Sequence, residues 1–359
     1  MVNDNGLEYP FLQKCMPEED NPTKLPPAVI LSIEFDANDN LFVHSYNAGI
    51  NVYRPAKNKF TVLKNRKKDS TTISSNIVDC LLWDENNLWV GTKRGLSQVD
   101  LKKNYQITNY TTPNSSLLKQ WVKDIELIQT DQLLLCYWGG TPEFFNIKTK
   151  KYQRIIPKNY DKQKWLDFTY DFFIADMSKF NNNEIYFANW SGGGVLDKYD
   201  ISKNIYSLAF YSQKDTTPLQ DQLRLSSAIL KTEKSIFSGS SVGTGLFEIK
   251  QSEHGQLFYS DEHRSPTKEE LTLSIKKEDK VVNDSSKISQ VNYIYKDNQD
   301  RIWICTPNGL FFRTVDDGQI VRIKCLDSCG LNNVVSVIQS PKIKSQYLIG
   351  TSKGLVSYD

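Results

Sequence analysis

The sequence predicts an all-β fold: a seven-bladed β-propeller of four-stranded antiparallel blades, closed by an N-terminal strand in the last blade. Two observations carry this expectation. Seven stretches end in a glycine followed by strand-like residues, at Gly49, Gly95, Gly140, Gly194, Gly245, Gly309 and Gly354, in steps of 46, 45, 54, 51, 64 and 45 residues. A period of about 40–50 residues with four short strands per unit is the signature of propeller blades. Aromatic residues make up 12% of the 359 positions, which suits packing of one sheet on the next.

The second repeat shows the unit in order. Asn76–Trp83 is apolar-rich and predicts the innermost strand. Asp84–Asn87 predicts a tight turn, because Asp and Asn side chains can bond their own backbone. Leu88–Val90 is the second strand, Gly91–Gly95 a hairpin connection, and Leu96–Val99 the third strand. Tyr105–Tyr110 is the outer, more polar fourth strand.

Inner strands are expected at Val29–Phe35, Val122–Ile128, Phe172–Met177, Ser226–Leu230, Val291–Tyr295 and Val334–Ile338. The turns Asp36–Asn40 and Asp297–Asp300 resemble calcium loops but lack the central glycine and the distal glutamate, so they predict structural turns. The last unit stops after Leu355–Tyr358, its third strand. An open edge is a liability that closure removes. The segment 1–27 is therefore expected to close the ring, with Leu7–Gln13 as outer strand of the last blade. The long step before Gly309 predicts an extended polar loop or short hairpin over 250–288, and the whole chain, 1–359, is expected to be one propeller.

Charge excludes some functions. Net charge is +2, without the clustered basic excess of a nucleic-acid footprint. The run Lys64–Lys68 is expected to be a solvated loop. No stretch approaches the roughly 18 apolar residues needed to cross a bilayer. Met1–Gly6 shows no basic-then-apolar leader. Cys80, Cys136 and Cys305 fall in strands and predict small buried side chains; Cys325 and Cys329, four apart, could bridge in an oxidising compartment.

No catalytic or metal set is expected, and no cofactor. Of three histidines, His44 ends a strand, while His254 and His263 lie in the long loop. Gly239–Gly243 matches a nucleophile elbow by letters, but that motif requires a strand-to-helix turn and a hairpin is expected here. Gly192–Gly194 lacks the following helix that would hold a phosphate.

The stretches Leu88–Leu96 (Leu-Trp-Val-Gly-Thr-Lys-Arg-Gly-Leu), Ile302–Leu310 (Ile-Trp-Ile-Cys-Thr-Pro-Asn-Gly-Leu) and Leu348–Leu355 (Leu-Ile-Gly-Thr-Ser-Lys-Gly-Leu) resemble the two-component-regulator propeller repeat, as does the lead-in Ser75–Asp84. Blades one, three, four and five diverge from the pattern; blade three has Leu135-Cys-Tyr-Trp138 in place of Trp-Val-Gly-Thr. The resemblance implies the periplasmic sensor region of Bacteroidetes hybrid two-component systems. It implies a small-molecule or oligosaccharide ligand and a periplasmic location. A homodimer is a possible partner; no nucleic-acid partner and no membrane segment are expected in this chain.

Placement of that ligand follows from geometry. In a propeller the lead-in to the inner strand and the strand-two-to-three hairpin open on the same face, here called the top. Expected ligand-binding residues there are Trp138, Trp190, Tyr46, Arg94, Trp121, Tyr170 and Asn308. Flat rings beside amides suit sugars, which stack an apolar face and bond through hydroxyls. Trp138 and Trp190 stand out because other blades carry Thr92, Ser240, Thr306 and Thr351 near that hairpin. The alternatives are a protein-interaction scaffold and a carbohydrate-active enzyme such as a lyase; a hydrolase would need paired acids, which no top-face loop supplies.

Overall fold

The computed structural model describes residues 25, 28–36, 38–55, 59–162, 165, 173–190, 196–210, 226–240, 246–251, 257–258, 288, 290–313, 320–323, 326 and 330–358. Its strands form seven separate antiparallel sheets, six of four strands and one of three. Blade one comprises β1 (Ile30–Phe35), β2 (Leu41–Ser45), β3 (Gly49–Arg54) and β4 (Lys59–Leu63). Blade two comprises β5 (Val78–Trp83), β6 (Asn87–Thr92), β7 (Gly95–Asp100) and β8 (Gln106–Tyr110). Blade three comprises β9 (Val122–Gln129), β10 (Gln132–Tyr137), β11 (Gly140–Asn146) and β12 (Tyr152–Arg154). Blade four comprises β13 (Ile174–Lys179), β14 (Glu184–Asn189), β15 (Leu196–Asp200) and β16 (Ile205–Phe210). Blade five comprises β17 (Ser226–Lys231), β18 (Ser235–Ser240), β19 (Leu246–Gln251) and β20 (Leu257–Phe258). Blade six comprises β21 (Tyr293–Lys296), β22 (Ile302–Thr306), β23 (Gly309–Arg313) and β24 (Ile320–Arg322). The last sheet is β25 (Val334–Gln339), β26 (Tyr347–Thr351) and β27 (Gly354–Tyr358).

The expectation of seven four-stranded blades is therefore corrected: six blades have four strands, and the last sheet has three among the described residues. The proposed closing strand Leu7–Gln13 lies outside the described residues. Within 1–27, Leu25 is described; it is fully buried against Ile30, Leu348 and Leu355. The last sheet packs directly on the first through β25 and β26 against β1, so sheet packing closes the ring. At the start of the long segment Leu257–Phe258 pairs with Lys250–Gln251, a short hairpin. Residues 259–287, with His263, lie outside the described residues, as do His254, Cys15, Cys325 and Cys329.

Each blade is held by a short set of local devices. Asp84, Asp36 and Asp297 turn the chain between strands one and two. Asp84 accepts hydrogen bonds from the Asn87 amide (2.8 Å) and the Trp89 indole (2.5 Å). Asp297 accepts from the Gln299 and Arg301 amides and from the Trp303 indole. Asp36 accepts from the Asn38 and Asn40 amides. These carboxylates are engaged by their own turns, as the structural reading expects. The indoles they orient, Trp89 and Trp303, are almost fully buried between sheets.

The hairpin after strand two is equally regular. Thr92 Oγ1 donates to the Gly95 carbonyl (2.9 Å) and accepts from the Arg94 amide (3.0 Å). Thr306 with Gly309 and Thr351 with Gly354 repeat the arrangement. Gly95 has φ +129°, and a Cβ there would stand 2.3 Å from the Tyr110 carbonyl oxygen, so only glycine fits. Gly239 and Ser240 are strand residues of β18; Ser241 to Gly243 and Gly192–Gly194 lie outside the described residues.

The glycine inside strand two has a different task. A Cβ on Gly239 would meet Val291 of the next blade at 2.5 Å, and one on Gly350 would meet Ile30 at 2.7 Å. The corresponding residue of blade one is His44, opposite Ser32 in the register. His44 is fully buried, neither ring nitrogen has a partner among the described residues, and burial pushes its pKa down to about 3. Cys80, Cys136 and Cys305 are buried free thiols, as expected.

Candidate functional site: the top face and its aromatic row

One hydrogen bond recurs around the ring and builds the top face. The amide after strand two donates to the carbonyl before strand one: Tyr46 to Val29 (2.9 Å), Lys93 to Ile77 (3.0 Å), Trp138 to Trp121 (3.0 Å), Trp190 to Phe173 (2.9 Å) and Ser352 to Asn333 (3.0 Å). Tyr46, Lys93, Trp138, Trp190 and Ser352 thus share one rim position. This corrects the expected alignment. Thr92, Ser240 and Thr351 pair with the first inner-strand residue, as Tyr137 does, and so precede the rim by one residue. Large rings at the rim are therefore not exceptions to a small residue. What sets blades three and four apart is that their rim positions are both tryptophan.

Those tryptophans meet. Ring centroids of Trp138 and Trp190 are 5.5 Å apart, and those of Trp138 and Trp121 are 5.8 Å apart. Phe173 stands edge-on to Trp138 at 5.2 Å and pairs with it through the backbone. The three indoles form a row across blades three and four, each half-buried. The Trp190 indole nitrogen is shielded from water and has no hydrogen-bond partner among the described residues.

Charge sits at the inner end of the row. The Trp121 indole donates to Asp79 Oδ2 (2.6 Å), and Lys123 Nζ pairs with Asp79 Oδ1 (2.5 Å). Lys123 Nζ is 5.8 Å from both the Trp121 and Trp138 ring centroids, and Lys93 Nζ is 4.8 Å over Trp121. Cations over indole faces are attracted by the ring quadrupole. Asp79 and Lys123 are the residues at which the inner strands bulge, between Val78 and Cys80 and between Val122 and Asp124. A bulge re-aims a side chain, which brings both to the mouth of the central channel.

That channel has a volume of about 630 Å³ and is lined by the inner strands of all seven blades. It holds a pair of acids that sequence reading did not foresee. Asp124 Oδ2 accepts from the Met177 amide of the next blade (2.9 Å), and Asp176 Oδ2 from the Ile229 amide of the one after (2.8 Å). Burial, then the Asp124 charge, holds Asp176 well above the usual carboxylate range; burial also raises Asp124. Burial lifts Glu34 and Glu126 to about 7. The paired acids thus sit on inner strands, where they staple adjacent blades through backbone amides.

The expected site residues divide accordingly. Trp121, Trp138 and Trp190 come together. Tyr46 is exposed at the rim of blade one. Arg94 is exposed on the blade-two hairpin and lines a separate groove. Asn308 is on the blade-six hairpin, away from the row, and its carbonyl accepts from Arg322 (2.8 Å). Tyr170 lies outside the described residues. Tyr137, one residue before the row, is fully buried and bonds Glu143. Asp79, Lys123 and Phe173 were missed; the signal for the first two is their shared place, one residue after the first apolar residue of an inner strand.

Comparison with known proteins shows the fold. No family model matches the chain, and no curated protein matches it. Among solved structures it is similar to the extracellular domain of a hybrid two-component system from B. thetaiotaomicron, with a TM-score of 0.63 and 14% identity over 96% of this chain. The extracellular domain of a second such system from B. thetaiotaomicron gives a TM-score of 0.53 and 13% identity over 95% of this chain. This chain spans 39% and 46% of those two chains. It is a β-propeller. Virginiamycin B lyase from Staphylococcus aureus is also similar, with a TM-score of 0.58 and 12% identity over 92% of this chain and 94% of that one. Propellers of sensors and of an enzyme thus lie at comparable distance, and the site must decide between them. No helix among the described residues is long and apolar enough to cross a membrane.

Proposed function

We propose that this propeller is a ligand-binding sensor module, the extracytoplasmic part of a two-component signalling protein, and that it binds an oligosaccharide across the tryptophan row. The observation that carries this reading is the row itself. Three half-buried indoles meet at one face, and one of them has a donor with no partner. A shielded donor without a partner costs stability, and a shift of the half-buried ring that admits a ligand hydroxyl or carbonyl would satisfy it. Stacked rings with a few fixed polar groups are what a sugar-binding surface requires. The repeat resemblance and the similarity to extracellular domains of two-component systems support a sensor over a scaffold. They also support a periplasmic location.

The channel acids do not favour an enzyme. Their oxygens are engaged by the Ile125, Met177 and Ile229 amides, which accounts for them as links between blades. In the same proposal Leu7–Gln13 adds the fourth strand beside β27, and residues 1–359 form one propeller. A thermal-shift screen against an oligosaccharide panel tests the function, because a ligand that binds only the native state raises the melting temperature. A shift with at least one saccharide supports the reading. A flat panel, with turnover of a saccharide instead, would support an enzyme.

A further inference from the structure

A second groove opens on the top face, beside the tryptophan row and outside it. Its volume is about 630 Å³, within the range typical of ligand sites, roughly 300–1,000 Å³. Two crossovers form its walls: residues 64–77, leading into blade two, and residues 111–121, leading into blade three. Among the described residues four cations line it, Arg66, Lys67, Lys68 and Arg94, with Asp69 as the sole acid. Among the described residues none of the four forms an ion pair. The chain as a whole is nearly neutral, so this is a local concentration of charge.

A basic run on a loop is ordinarily a solvated face. Here the backbone beneath it is pinned. The Asn65 amide donates to Asn76 Oδ1 (2.6 Å), Asn65 Nδ2 to the Ile73 carbonyl (2.6 Å), and the Arg66 amide to Thr72 Oγ1 (3.0 Å). Asn109 of β8 holds the Thr72 carbonyl (2.7 Å), and Ser97 of β7 accepts from the Ser74 amide (3.0 Å). The opposite wall is tied by Asn114 to the Thr111 amide (2.7 Å) and by Gln120 to Thr112 (3.1 Å). Asp69 Oδ1 is taken by the Thr71 amide and hydroxyl, which, with a smaller contribution from the Arg66 charge, hold its carboxyl below the usual range. It is therefore occupied within its own turn. The cations are carried on a preformed frame, which lowers the ordering cost of binding.

The groove also joins the row. Gln120 lines it and precedes Trp121, and Arg94 lines it and follows Lys93, whose ammonium lies over Trp121. Guanidinium forks and ammonium groups recognise carboxylates and sulfates. We propose that this groove is a subsite for an acidic saccharide, one bearing carboxylate or sulfate groups, that extends from the tryptophan row over blade two. The proposal rests on the reading of the row as a saccharide site and adds the charge of the ligand.

Calorimetric titration of the whole chain with three tetrasaccharides tests it: tetragalacturonate for carboxylate, a κ-carrageenan tetrasaccharide for sulfate, and neutral cellotetraose. A single-stranded DNA of matched charge serves as a further probe. The expected result is tighter binding of at least one acidic saccharide than of cellotetraose, weakened by added salt. The double variant Arg66→Ala/Arg94→Ala should weaken it roughly tenfold or more. Lys102→Ala/Lys103→Ala removes the same charge from the β7–β8 hairpin, at the opposite end of blade two, and should change little. Three results would overturn the proposal: neither acidic saccharide binding better than cellotetraose, equal weakening by the two double variants, or DNA binding as well as the saccharides. The two readings fail separately. Cellotetraose binding that depends on Trp138, with no preference for acid, would sink the groove and keep the row. Acidic binding that needs Arg66 and Arg94 but is unchanged in Trp138→Ala would keep the groove and sink the row.

Discussion

Asp124 and Asp176, on the inner strands of neighbouring blades, face each other carboxyl to carboxyl while each accepts the amide of the next blade along: Met177 for Asp124 and Ile229 for Asp176. Two carboxylates this close cannot both be charged without penalty, so the pair retains a proton above the range where free aspartate loses it. One bond set therefore couples three blades to pH.

Stability should fall as pH rises through the acidic range. Glu34 and Glu126 are lifted to about 7 from 4.5, and Asp124 and Asp176 are raised from 3.8. Between the unfolded and folded values the folded chain holds more protons, so its stability is full below about pH 4 and declines toward about pH 7. Other charges facing this channel are Asp79, Lys123, Lys179 and Lys296, and the sum of these fields sets the slope. His44, lowered to about 3 from 6.5, acts in the opposite sense between those values and offsets part of the trend, and Asp200, lowered to about 2, does so only below about pH 4. The melting temperature at pH 5 should exceed that at pH 8, and Asp176→Asn should reduce the difference. A melting temperature that climbs steadily from pH 5 to pH 8 would contradict this.

Asp297 is the most heavily used carboxylate of blade six. Its Oδ2 accepts from Trp303 (2.8 Å), Arg301 (2.8 Å) and Tyr347 of the last sheet (2.8 Å). Replacing it with alanine leaves a guanidinium, an indole and a phenol without their acceptor. Loss of roughly 3–5 kcal/mol in denaturant unfolding is expected, with Asp297→Asn milder. A loss below about 1 kcal/mol would show that this network does not bind the last sheet to the ring.

Gly95→Ala should destabilise by roughly 1–3 kcal/mol through a strained φ alone, and more through the clash with the Tyr110 carbonyl. Gly330→Ala is the comparison: φ there is +66°, and the nearest neighbour is the far end of the Lys353 side chain at 3.5 Å. The Gly95 variant should melt well below the Gly330 variant; equal melting would mean that the hairpin relaxes.

Deleting residues 1–15 should expose the edge of β27 and cause aggregation, if Leu7–Gln13 completes the last sheet. A monodisperse deletion variant with unchanged melting would show that packing of β25 and β26 on β1 closes the ring unaided.

Much of the fold was legible because its devices are local. Gly49, Gly95, Gly309 and Gly354 do begin a third strand with positive φ, and Asp84, Asp36 and Asp297 do cap their turns. Inner strands were placed within a few residues, since apolar runs before an Asp turn mark them. The rim register was misjudged by one residue. Alternation along the strands does not reveal which blade's hairpin begins a residue later, and the hydrogen bond from Trp138 to Trp121 settles it. The Asp124–Asp176 pair was invisible, because no local pattern joins residues a whole blade apart. Lys64–Lys68 looked like any solvated run; the polar anchors Asn65, Thr72 and Asn109 that pin it are common loop residues and carry no signal singly.

The central claim, saccharide binding on the tryptophan row, is tested most directly at Trp190. Trp138 touches three other rings, so Trp138→Ala should lower both folding stability and affinity. Among the described residues Trp190 touches one ring and its indole donor has no partner, so Trp190→Phe removes the donor and part of the stacking face while filling most of the same space. The measurement is calorimetric affinity of wild type and Trp190→Phe for the saccharide that shifts melting most. The account predicts a loss of roughly 1–3 kcal/mol in binding, with melting nearly unchanged in the absence of saccharide. Equal affinity in the two proteins, or lower melting with no change in affinity, would show that the row is packing and not a site.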